Sequence, residues 1–245
     1  MSRLERTAGA RGVLVLLLIA QLLRMGVALG MELIVSKESL GRPEVYYALV
    51  ILQEALMFGL PLFLFVRLLR PRYMPVLKAQ MAFPPLGAAV RTVAAAVMGL
   101  VMFECYTVLW VMLLEGLGLR LWVPDIPLPA NGAQIILAMA AVGVLPAVLE
   151  ELVFRGAVLE GLRREMSPRA ALWLTALLFA CMHGTMAALP VHIVLGVLLT
   201  LMAWRRGSLQ LPMLYHFVHN ASSLILALYL RNWVQALGVD TQALG

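Results

Sequence analysis

The chain has 245 residues, is 62% hydrophobic and only 13% charged, and its mean hydropathy is +0.92. A soluble domain is nearer half apolar and a quarter charged, so the composition excludes an ordinary soluble enzyme and indicates an integral membrane protein. The net charge of +6 does not indicate nucleic acid, because the basic residues fall in short clusters between apolar stretches rather than in one patch.

Seven apolar stretches are long enough to be considered as membrane spans, since about 20 helical residues cross roughly 30 Å of hydrocarbon. They are predicted near 12–34, 45–66, 86–114, 133–156, 170–188, 190–204 and 209–230. The first follows a basic segment, residues 1–11, in the manner of a signal peptide. Its apolar run continues through Leu29 without a clean small-residue cleavage site, so a retained signal-anchor helix is expected. The fifth and sixth are short and joined by almost no loop at Ala188-Leu189-Pro190, which suits tilted or partly re-entrant helices. One membrane domain is expected over residues 1–245, with no repeats and no separate soluble domain. Cys105 and Cys181 both fall inside spans and offer neither a disulfide framework nor a zinc spacing.

The connecting segments give an orientation. Arg3, Arg6, Arg11, Arg67, Arg70, Arg72, Lys78, Arg163, Arg164, Arg169, Arg205 and Arg206 fall on one side, and Lys37, Arg42, Arg120 and Arg231 on the other. This asymmetry puts the N-terminus in the cytoplasm and the C-terminus outside. The longest outer loop, 115–131, is rich in proline and carries Trp122 as an interface anchor.

Three spans carry residues that hydrocarbon should exclude: Glu150, Glu151 and Arg155 in the fourth, His183 in the fifth, and His216, His219 and Asn220 in the last. Such residues are costly in lipid and mark functional sites. At 1.5 Å rise per residue, Glu150 lies about 20 Å from Arg163, His183 about 21 Å from Arg169, and His216 and Asn220 about 15 and 21 Å from Arg206. The four therefore reach similar depth.

Adjacent Glu150 and Glu151 point about 100° apart on a helix and cannot share one task. Glu151 and Arg155, at i and i+4 with the acid first, form a favourable ion pair and a supporting role. That leaves Glu150 as an unpaired carboxylate in low dielectric, suited to act as a general base. With His183 it can hold and polarise one water. His216 and Asn220, also at i and i+4, face one side and can stabilise an oxyanion, typically worth about 3 kcal/mol per donor. His219 is one position off that face and is expected to pack or bond locally, and His192 to be structural, with a place in the cavity wall as the alternative. Gln21 and Arg24 with Glu54, joined by Glu104, could form an interhelical polar group. Glu150, His183 and His216 would also serve as zinc ligands, but no His-Glu-x-x-His is present. A mechanism without metal or other cofactor is favoured, with bound zinc as the alternative.

Glu-Glu-x-x-x-Arg at 150–155, Phe-x-x-x-His at 179–183 and His-x-x-x-Asn at 216–220 resemble, in order, the motifs of the CAAX protease and bacteriocin-processing family, the intramembrane glutamic endopeptidases related to type II CAAX prenyl endopeptidases. The similarity covers roughly residues 133–230, a family-like catalytic core. It implies an all-α polytopic fold of about seven transmembrane helices enclosing a membrane-embedded cavity, and cleavage near the C-terminus of a membrane-associated protein or peptide. Glu150, His183, His216 and Asn220 take the catalytic roles by this resemblance. Lipidated or membrane-anchored substrates, contact with lipid but not nucleic acid, and residence in a prokaryotic plasma membrane follow as expectations. Two other readings stand beside it: a non-catalytic immunity or binding protein of the same family, and a proton-coupled transporter using the glutamate and histidines as a relay.

Overall fold

A computed structural model describes residues 10–69, 77–78, 80–81, 83–119 and 126–236. Arg3, Arg6, Arg70, Arg72, Arg120 and Trp122, used above for orientation, lie outside the described residues. The described chain is helical, with no strand among these residues. Its helices are α1 (Ala10–Ile34), the short α2 (Lys37–Leu40), α3 (Pro43–Arg67), α4 (Leu86–Gly116), α5 (Gly132–Leu162), α6 (Pro168–Met182), α7 (Leu189–Arg206) and α8 (Gln210–Ala236). Six of them are long and apolar enough to cross a membrane, and the apolar α6 is shorter. The protein is thus an all-α integral membrane protein.

The elements follow the seven predicted stretches, with three corrections of length, one of them at α8, which runs to Ala236 rather than ending at 230. The fourth continues to Leu162 rather than ending at 156, because Leu159 and Leu162 are buried and extend its inward face. The fifth stops at Met182 rather than 188. Gly184 there adopts φ +69°, a left-handed conformation that glycine reaches without a Cβ clash, and the chain turns out of the helix. At 15 residues, α6 is about 22 Å long and ends within the hydrocarbon depth.

Local signals fix the helix starts. Ser167 accepts from the Ala170 amide and Pro168 occupies the first turn of α6, while Asn131 accepts from the Gln134 amide at 3.0 Å to cap α5. Much of the remaining surface is apolar and faces outward, as lipid contact requires. On α4, Ala88, Thr92, Ala96, Leu100 and Phe103 form a buried stripe, whereas Val97, Met98, Val101, Met102 and Leu109 are exposed. The small residues on that stripe let α8 approach, and a Cβ at Gly99 would lie 2.5 Å from the Tyr215 hydroxyl.

Two helices depart from regular winding. In α3 and α5 the ladder steps out by one residue before a proline: Leu60 donates to Ala55 ahead of Pro61, and Leu145 donates to Ala140 ahead of Pro146. Proline has no N–H and its ring crowds the carbonyl four residues back, so a wide turn relieves the clash. A further wide turn spans Leu152–Val158 and carries Arg155. The main core, around Phe58, Phe154, Phe179 and Leu199, fills one half of the bundle. A smaller cluster around Tyr47, Ala138, Ala141 and Leu224 lies nearer the other end.

Candidate active site

The expected residues converge. Glu150 Oε2 lies 3.9 Å from His183 Nε2 and 4.0 Å from His216 Nε2, at the base of a cavity of about 550 Å³ that Asn220 also lines. Glu150 is 5% exposed, and its Oε2 has no hydrogen-bond partner among the described residues. A buried carboxylate oxygen without a partner is costly, so its retention points to a use.

Both imidazoles are anchored from behind. His183 Nδ1 is 2.8 Å from the Phe179 carbonyl, which only accepts, so Nδ1 carries the proton and Nε2 presents a lone pair to Glu150. Phe179 thus fixes the histidine four residues on, and Gly184 lets the chain leave once His183 has capped α6. His216 Nδ1 is 3.0 Å from Glu151 Oε1, and by the same reasoning donates to it. Glu151 Oε1 also accepts from Arg155 Nη1 at 2.7 Å, with both side chains fully buried. The adjacent glutamates are thus held differently: Glu151 is tied to Arg155 and His216, whereas Glu150 Oε2 makes no hydrogen bond among the described residues.

Arg155 is held on two further sides. Its Nη2 donates to the Gly196 carbonyl at 3.2 Å, and its guanidinium lies 4.4 Å from the Phe179 ring centroid. The same carbonyl accepts from Thr200 Oγ1 at 2.7 Å. Gly196 is needed for this approach of α6 and α7, since a Cβ there would stand 3.0 Å from both Cα and O of Ala176. Backbone cannot yield as a side-chain tip can. Gly196→Val is expected to lower stability by about 1–3 kcal/mol by overpacking, measured by thermal unfolding in detergent.

Asn220 has a local duty that its spacing does not reveal. Pro146 offers no N–H to the Val142 carbonyl four residues before it, and Asn220 Nδ2 donates to that carbonyl at 2.8 Å. One N–H of the amide remains for another acceptor. Asn220→Leu, which strands the carbonyl, is expected to cost about 1–3 kcal/mol of stability in the same unfolding measurement.

Three further residues join the site. Glu54 was grouped with Gln21 and Arg24, but Arg24 Nε donates to Gln21 within α1 at 3.2 Å, whereas Glu54 lines the cavity, 7% exposed. Glu104 accepts from Ser223 Oγ at 3.4 Å instead of joining that group. For His192 the alternative reading holds: it lines the cavity and stacks on His183 with centroids 3.8 Å apart. His219 packs edge-on against Phe103 as expected, and also lines the cavity. Depth would have found two of them: Glu54 is about 20 Å from Arg67 and His192 about 20 Å from Arg205, the depth of Glu150.

Among the described residues, no cluster of three His, Cys, Asp or Glu side chains has the geometry to hold a metal ion. The separations of 3.9 and 4.0 Å suit a bridging water, which sits about 2.8 Å from each hydrogen-bond partner.

Comparison with family models matches residues 132–222 to one described as Rce1-like, type II CAAX prenyl endopeptidase Rce1-like. Over these residues, 91 of the chain's 245, the protein is similar to the CAAX protease family. All three motifs lie within the matched residues, and the match begins at the first residue of α5. No curated protein and no solved structure matches the chain. That similarity points to protease activity on a protein or peptide substrate, within an integral membrane protein.

Proposed function

We propose that this protein is a CAAX protease family member and a glutamate-type intramembrane endopeptidase, cleaving a peptide bond near the C-terminus of a membrane-associated substrate. The observation that carries the reading is the free Glu150 oxygen facing two back-anchored imidazoles at 3.9 and 4.0 Å. Glu150, with His183 Nε2, takes a proton from a water held between them, and the resulting hydroxide attacks the scissile carbonyl. His183 passes the proton to the leaving amine, giving a new carboxyl and a new amine. His216, protonated and held through Nδ1 by the Glu151 carboxylate, donates from Nε2 to the oxyanion, and the second Asn220 N–H is the other donor. A neutral His216 could not serve, because its one proton lies on Nδ1. Glu151 and Arg155 are thus positioning residues.

The same reading puts the protein in a prokaryotic plasma membrane, and the distribution of Lys and Arg supports an N-terminus in the cytoplasm. The direct test compares membrane proteomes of cells carrying the parent or Glu150→Gln. C-termini produced only by the parent are expected, and identical proteomes would end the reading. The chemistry is expected to proceed without metal: purified protein treated with a strong chelator should keep its rate, whereas loss restored by added zinc would favour the metal alternative.

A further inference from the structure

The cavity runs in one direction only. On α3 it is lined by Tyr47, Val50 and Glu54; on α5 by Ala141, Val142, Pro146 and Glu150; on α8 by His216, Asn220, Ser223 and Ala227, among others. Each set repeats every three or four residues, so each is a single stripe of its helix. In all three, the catalytic level lies at one extremity. α3 and α5 run toward the Lys- and Arg-rich face, and α8 runs away from it. From Glu54, Glu150 and His216 every stripe therefore climbs toward the opposite face, where Ile126 and Leu128 of the connecting loop complete the wall.

The next turn toward the basic face is closed. Met57 and Phe58 follow Glu54, Val153 and Phe154 follow Glu150, and Met213 precedes His216; all are buried in the main core. Below them the described basic residues Arg67, Lys78, Arg163, Arg164, Arg169, Arg205 and Arg206 mark the cytoplasmic side. At the other end the loop is fastened over the rim. Tyr47 donates to the Pro127 carbonyl at 3.0 Å, and Arg231 donates to the carbonyls of Leu128 and Pro129 at 3.2 and 2.9 Å.

We infer that substrate enters this cavity from the extracytoplasmic side, so that the protein cleaves exported or surface-anchored polypeptides rather than chains presented in the cytoplasm. The inference rests on the proteolytic reading for what happens to the substrate, but not for where it enters. The wall selects chemistry as well. Val50, Leu128, Val191, Leu195, Leu224 and Ala227 are apolar, and among the described residues no Lys or Arg lines the cavity and Glu54 and Glu150 supply its only carboxylates. An apolar segment without acidic residues fits that lining. An acidic one would be repelled without a compensating cation.

The test is thiol accessibility in the full-length chain within its membrane. Leu128→Cys and Ala227→Cys report on the cavity and its rim, and Arg164→Cys on the basic face. The native Cys105 and Cys181 are replaced by serine. A membrane-impermeant maleimide added to right-side-out spheroplasts is expected to label the first two at least tenfold faster than Arg164→Cys, and inverted vesicles to reverse the order. Labelling of Leu128→Cys and Ala227→Cys from the same side as Arg164→Cys overturns the proposal. So does labelling of Arg164→Cys alone in right-side-out spheroplasts. Accessibility is blind to catalysis, so such failure leaves the hydrolytic reading intact, and an inactive parent would leave the labelling pattern unchanged.

Discussion

Glu150→Gln is expected to reduce peptide hydrolysis by about 10²- to 10⁴-fold while leaving the fold as stable as the parent or more so. The two parts of that result come from one geometric fact. Glu150 Oε2 is buried and has no partner among the described residues, so the carboxylate is not part of the bonding that holds the helices together. An amide of the same shape removes the proton acceptor and relieves a costly buried group. The measurement pairs a cleavage assay with thermal unfolding in the same detergent. A purely structural glutamate would give the opposite pattern, with stability falling and residual activity following the folded fraction. Retention of parental turnover would remove Glu150 from the mechanism.

The second large effect falls on the neighbouring pair. Arg155→Met is expected to destabilise the protein by about 3–5 kcal/mol, because it leaves the fully buried Glu151 carboxylate without its countercharge. Replacing both partners, Glu151→Leu with Arg155→Met, is expected to recover most of that loss, since apolar residues can replace a buried ion pair at little cost. Activity is not expected to return with it. Glu151 Oε1 also accepts from His216 Nδ1, and leucine offers no acceptor to set the tautomer or hold the imidazolium. A double variant that is stable and inactive would separate the positioning of His216 from the integrity of the core. A stable and active one would show that His216 needs no such support.

The sequence made the helix count and the principal residues legible because hydrocarbon penalises charge so heavily. Glu150, His183, His216 and Asn220 stand out against apolar surroundings, and helical rise is regular enough to compare their depths. What it did not reveal depends on which faces meet. Glu54 and Arg24 looked complementary as isolated charges in consecutive spans, yet Glu54 turns into the cavity and Arg24 bonds along its own helix. His192 belongs to no motif, and only the packing of α7 beside α6 brings its ring onto His183. The bond from Asn220 to Val142 could not be read from either segment alone, since it exists because a proline on a different helix leaves that carbonyl without its usual donor.

That bond has a wider consequence. The wide turn ahead of Pro146 holds one residue more than regular winding would, and removing it would change the phase of everything after it by about 100°. Glu150 lies four positions beyond the proline, and its bearing on the two imidazoles is therefore an inheritance from an irregularity upstream. An imino acid and a distant carboxamide together act as the timing mark of the helix, deciding which of two adjacent buried acids faces the cavity.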